Sequence, residues 1–147
     1  APLFFITADH SSRRFLNKTP NAAEAYLVPL VIYSPEGLNN YKVPTQAAGS
    51  HTDIPATLIE MIAPTGFEYY AFGHNILDEE ALQLGLGHGN VLTHEGIFDG
   101  KEGRYLGPID PLQEPSQSTE DFSRLARFFS RLKGAGWWRI MKGNTLE

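Results

Sequence analysis

Four consecutive apolar residues, Leu3, Phe4, Phe5 and Ile6, stand near the front of this chain, and Thr7-Ala8-Asp9-His10-Ser11-Ser12-Arg13-Arg14 follows at once. A strand with one wet face alternates apolar and polar residues. This run does not, and it predicts a strand covered on both faces, as in the middle of a parallel sheet. In open α/β sheets, chemistry gathers where the chain leaves the carboxyl end of such strands. Adjacent side chains on a straight strand point to opposite faces, so Asp9 and His10 can share one ion only if the backbone turns there. The polar Ser11-Ser12 predicts that turn. A carboxylate oxygen with an imidazole nitrogen suits zinc or a divalent transition metal better than calcium. Taken alone, the two residues read more simply as a turn cap and an ordinary histidine; the rest of the sequence shifts the balance.

At 147 residues and 41% hydrophobic content, the chain is the size of one domain with enough apolar material for a core. Its formal charge of −5 argues against bulk nucleic-acid binding, which needs a basic surface. Without cysteine there are no disulfides and no thiolate metal sites. Neither a membrane-spanning run nor a signal-peptide pattern is present. Ala1-Pro2 leads straight into what reads as a central strand, and the expectation is therefore a piece of a longer chain.

Phe15 to Glu24 reads as a loop or short helix. Tyr26 to Tyr33 predicts a second buried strand, with Pro29 at its start, at an edge or at a bulge. Leu38 to Gly49 is a surface loop. A helix then opens at Asp53, read as its N-cap, with Pro55 in the first turn and Ile54, Leu58, Met61 and Ile62 on one apolar face. Pro64 and Gly66 end it. Asp78 to Leu84 suits a short helix. Gly85-Leu86-Gly87-His88-Gly89 fits neither a P-loop nor a dinucleotide fingerprint and reads as a flexible connector. Val91 to Leu106 predicts an antiparallel meander that turns at Asp99-Gly100. Ser118 to Asp121 has capping-box spacing and opens a last helix. Its apolar face is Phe122, Leu125, Phe129 and Leu132, and its opposite face is Arg124, Arg127 and Arg131. Gly134 and Gly136 are its expected stop, which leaves Trp137 to Lys142 open between a last strand and a packed extension. The arginine stripe reads as a solvated face in preference to a lipid contact, because the aromatic positions fit core packing.

Three pieces now stand in order: Phe-Ile-Thr-Ala-Asp-His at 5–10, Val-Pro-Leu-Val-Ile-Tyr-Ser-Pro at 28–35, and Ser-His-Thr-Asp-Ile-Pro-Ala-Thr-Leu at 50–58. Together they resemble the C-terminal part of a sulfatase-like catalytic domain of the alkaline phosphatase superfamily. The closer likeness is to phosphoglycerol transferases and lipoteichoic-acid-synthase-type enzymes. Phe72-Gly73 stands where that branch has a Phe-Gly segment. The resemblance covers residues 3–77 and is architectural beyond them. It implies an α/β fold: the C-terminal part of an alkaline-phosphatase-like sandwich, its core sheet flanked by helices, with a small antiparallel C-terminal sheet and a final helix. Residues 1–90 would be the core-sheet part, and 91–147 the small subdomain and closing helix.

The resemblance further implies that Asp9 and His10 are ligands of a catalytic divalent ion (Mn, Mg, Zn or Ca, with Mn favoured). The nucleophile and the remaining ligands would lie upstream, in an N-terminal half outside these residues, so the 147 residues alone are expected to be inactive. Phosphoethanolamine transferases carry a further metal-site histidine soon after the Asp-His pair; residues 11–26 hold none, which counts against that branch. Arg13 and Arg14 are candidate substrate contacts, since a guanidinium grips two phosphoryl or sulfuryl oxygens at once; surface charge explains them equally well. Asp53 is read as structural and His51 as a hydrogen-bonded residue near the helix start in preference to a ligand. His74, His88 and His94 read as loop residues. The implied activity is metal-dependent phosphoryl transfer or phosphate- or sulfate-ester hydrolysis on a substrate that includes lipid-derived esters, on the extracytoplasmic side of a membrane. The competing expectation is a non-catalytic binding or regulatory module that keeps the fold.

Overall fold

In the computed structural model, residues 2–11, 19–45, 47–110 and 123–142 are described. Strand β1, Phe4–Thr7, pairs with β2, Leu30–Tyr33, and between them lies the short helix α1, Ala22–Tyr26. Helix α2, Asp53–Ile62, follows. A four-stranded sheet comes next, made of β3 (Gly85–Leu86), β4 (Asn90–Thr93), β5 (Gly96–Asp99) and β6 (Tyr105–Gly107), and α3, Ser123–Lys142, closes the chain. The architecture is mixed α/β, with two small antiparallel sheets.

The first sheet corrects the sequence reading. β1 runs antiparallel to β2, with Phe4 opposite Tyr33 and Ile6 opposite Val31. Directly opposed residues share a face, and all four are exposed, whereas Phe5 and Ile32 on the other face are half-buried. The uninterrupted apolar run therefore marks a ribbon with one apolar face open, and burial on both faces does not occur. Phe4 and Tyr33 stack with ring centroids 6.0 Å apart. Pro29 sits just ahead of β2, where its missing N–H interrupts no ladder bond. A capping box starts α1: Glu24 N–H donates to Asn21 Oδ1 at 2.8 Å and Asn21 N–H to Glu24 Oε2 at 3.1 Å.

The core lies with the second sheet. Phe98, Ile97 and Val91 are each only 1% exposed, and Phe129 of α3 packs with Leu84, Val91 and Leu86. The expected meander is present, and β3 extends it: Gly85 and Leu86 pair with Leu92 and Val91, so the glycine run begins as strand and its residues 87–89 form the turn into β4. Glycine is needed there because a Cβ on Gly85 would drive into the carbonyl of Gly49. Asp78 to Leu84 forms turns and not a helix. Gly134 and Gly136 do not end α3, and neither adopts a positive φ. A glycine inside a helix costs about 1 kcal/mol relative to alanine, too little to stop one whose neighbours are good helix formers. Trp137 to Lys142 is consequently helix. Arg124, Arg127 and Arg131 are exposed, while the capping box expected at 118–121, with Phe122, lies outside the described residues. Among the described residues no helix is long and apolar enough to cross a membrane.

The β5–β6 turn is expected to respond to acid. Glu102 N–H and Lys101 N–H donate to Asp99 Oδ1 at 2.7 and 2.9 Å. These bonds, with a smaller contribution from the Arg104 charge, hold the Asp99 carboxyl below its ordinary value. A carboxyl depressed by folding contributes stability above its unfolded pKa of about 3.9, and the contribution disappears as pH falls through the lower folded value. Amide exchange at residues 100–103 is accordingly expected to accelerate below that pH in the native chain, and Asp99→Asn should remove the transition. An unchanged pH profile in the asparagine variant would reject the assignment.

Candidate functional site

β1 delivers Asp9 and His10 to its carboxyl end, as the sequence leads one to expect, and both side chains face solvent (Asp9 89% and His10 57% exposed). Asp9 Oδ2 and His10 Nε2 stand 3.6 Å apart. His10 Nδ1 is 2.7 Å from the Ser11 carbonyl. A carbonyl only accepts, so Nδ1 carries the proton in that bond and Nε2 of the neutral ring presents a lone pair. In that tautomer the two lone pairs face each other, an arrangement that a shared cation would suit. Donors about 2.1 Å from a shared ion in tetrahedral array stand roughly 3.4 Å apart, so the separation fits a common ligand role. A backbone carbonyl on the second imidazole nitrogen is also the usual support of a metal-bound histidine. Among the described residues no third His, Cys, Asp or Glu joins them as a metal-holding group.

The pair opens on a cleft of about 550 Å³ between the two sheets. His51 and His88 join Asp9, His10 and Ser11 along its polar lining, while Leu27, Ile54, Ile76 and Leu92 line its apolar part. Ser11 is itself anchored, its hydroxyl donating to the Ala25 carbonyl at 2.6 Å. Thr7 Oγ1 donates to the Pro29 carbonyl at 2.8 Å and ties β1 to the entry of β2. His51 Nε2 lies 2.7 Å from the carbonyl of Ala8, the residue just before the pair. The expectation of a hydrogen-bonded histidine near the helix start agrees with that contact. Arg13 and Arg14 lie outside the described residues.

Asp53 corrects its reading as a cap. The first helical residue is Asp53 itself, and Thr52 before it makes no side-chain cap bond. The Asp53 side chain is 3% exposed. Its Oδ2 accepts from Ser50 N–H at 2.6 Å and from the Ser50 hydroxyl at 2.8 Å. Its Oδ1 accepts from His74 N–H at 2.9 Å and pairs with His74 Nδ1 at 3.0 Å. A buried carboxylate needs this many donors, because an unpaired one is expelled or neutralised. Thr57, fully buried, adds a second tie, donating to Asp53 O at 2.8 Å and accepting from Ile76 N–H at 3.0 Å. The inward face of α2 is thus Asp53, Ala56 and Thr57, and Ile62 of the expected apolar face is exposed. His74 is more than a loop residue: it clamps the 73–76 segment onto the start of α2. Glycine is required at Gly73, because a Cβ there would enter the Thr52 backbone.

Comparison of the chain with protein families, curated proteins and solved structures gives no match to any of them.

Proposed function

We propose that this chain is the metal-ligand-bearing part of a phosphoryl or phosphoglycerol transferase, or of a related phosphate- or sulfate-ester hydrolase, of the sulfatase-like kind. The observation that carries the reading is the facing of Asp9 Oδ2 and His10 Nε2 at 3.6 Å on the rim of a cleft. The ordered motifs at 5–10, 28–35 and 50–58 supply the rest, including an alkaline-phosphatase-like sandwich as the parent fold.

A divalent ion bound there supplies Lewis acidity and neutralises charge growing on phosphoryl or sulfuryl oxygens. Asp9 contributes anionic charge to hold it, and His10 contributes a nitrogen whose orientation is set by the Ser11 carbonyl. The apolar part of the cleft, lined by Leu27, Ile54, Ile76 and Leu92, offers a surface for the uncharged portion of a substrate. Arg13 and Arg14, by sequence position, are assigned to the substrate's oxyanion. The nucleophile and remaining ligands would come from a segment outside these 147 residues, in a protein whose catalytic side faces away from the cytoplasm.

Mn²⁺ titration of the ¹⁵N-labelled chain tests the ligand assignment. Paramagnetic broadening is expected to strike the amides of residues 8–11 first, at ion concentrations that leave the other acidic residues unaffected. Asp9→Asn and His10→Gln should each abolish that focus while leaving the chain folded. Broadening spread evenly over the acidic surface would remove the metal reading and leave the non-catalytic module.

A further inference from the structure

We propose that His51 is a positioning residue for Asp9 and His10, an assignment that rests on the metal reading above. The Ala8 carbonyl, on which His51 Nε2 closes at 2.7 Å, lies in the same rigid peptide plane as the amide nitrogen of Asp9. Fixing that oxygen fixes the plane, and with it the position of the Asp9 Cα from which the side chain departs. β1 ends at Thr7, so beyond that point no ladder bond does this for the chain, and a side chain 43 residues away supplies the constraint.

The histidine is useful for this only if its own base is firm. Ser50 and Asp53 flank His51 closely, and the Asp53 carboxylate grips Ser50 through two bonds and His74 through two more. Asp53 N–H also returns to the Ser50 carbonyl at 3.0 Å, closing the turn that carries His51. The constraint thus runs from a buried carboxylate through a tight turn to the peptide plane that aims an exposed one. On the far side of the pair, Ser11 does the corresponding job, its carbonyl on His10 Nδ1 and its hydroxyl on Ala25. Asp9 and His10 are therefore flanked by contacts from the turn that leads into α2 and from α1. Partners that bond a metal ligand directly are worth about ten- to hundredfold in metal affinity, and a loss of that order is expected from His51, which acts one peptide away.

The test is the Mn²⁺ concentration that half-broadens the Asp9 and His10 amides in three versions of the full 147-residue chain. His51→Leu, which cannot donate, is expected to raise it roughly ten- to hundredfold. His51→Gln, whose amide nitrogen reaches the place of the imidazole Nε2, should restore most of the affinity. In the metal-free chain the Asp9 amide signal should shift in the leucine variant and return in the glutamine variant. A leucine variant that melts earlier but binds Mn²⁺ as the native chain does would overturn the proposal and leave His51 a purely structural bond. Should the leucine variant not fold, glutamine against asparagine, the same chemistry one methylene shorter, reads the reach of the donor; equal affinities would again overturn it. A native chain with no focused broadening rejects the metal reading itself, and this proposal with it.

Discussion

Asp53→Ala is expected to destabilise the fold by about 3–5 kcal/mol, because it removes a buried acceptor of several hydrogen bonds and each buried donor left unsatisfied costs about 1–3 kcal/mol. The change strands Ser50 N–H and His74 N–H and leaves the His74 imidazole without its carboxylate, while the Ser50 hydroxyl keeps its contact with Thr52 Oγ1 at 2.9 Å. Unmade bonds to buried groups carry their desolvation penalty in full. Asp53→Asn keeps an acceptor toward one partner and should lose less, about 1–3 kcal/mol. Urea unfolding followed by tryptophan fluorescence separates the two variants, and the denaturant slope shows whether the folded state has also expanded. An alanine variant within 1 kcal/mol of the native chain would show that water already reaches the carboxylate.

The second large effect belongs to the other sheet. Phe98→Ala removes a ring that is 1% exposed and packed at 5.3 Å on Tyr105. Phenylalanine truncations in cores cost about 3–5 kcal/mol, part lost transfer energy and part cavity. Phe98 sits at the register shift between β5 and β6, where Ile97 faces Gly107 but Phe98 faces Tyr105. Its loss should therefore open β6 before β4. Native-state hydrogen exchange is expected to report early loss of protection at residues 105–107 and later loss at 90–93. Simultaneous loss would mean that the four strands open as one unit.

The sequence was most readable where a local rule sets the outcome. Asp99-Gly100, Pro29 and the Asp53–Ile62 helix all obey turn, ladder or helix-start chemistry that acts over a few residues. The pairing of β1 was not readable, because an apolar run says that a strand is apolar and not which neighbour covers it. Gly85 and the Gly134/Gly136 pair misled for opposite reasons. The first serves a close approach by a carbonyl far along the chain, and the others are tolerated in a long helix at modest cost. Asp53 misled in the most instructive way. An acidic residue at a helix start satisfies the capping rule so well that nothing local hints at Ser50 and His74 converging on it. At the candidate site, Asp9, His10 and the hydrogen-bonded state of His51 could be read from the residues. That His51 closes on Ala8 could not, since the two are joined only by the fold.

The contrast between Asp9 and Asp53 carries a consequence for selectivity. Each Asp53 oxygen already accepts from two partners, so a cation arriving in solution finds no lone pair facing it and would have to dismantle the α2 start to obtain one. Asp9, with the same functional group, is left accessible. Burial thus divides two chemically identical side chains into a keystone and an open carboxylate. On the proposed metal reading, raising the salt concentration should weaken ion binding at Asp9 while leaving the Asp53 contacts untouched.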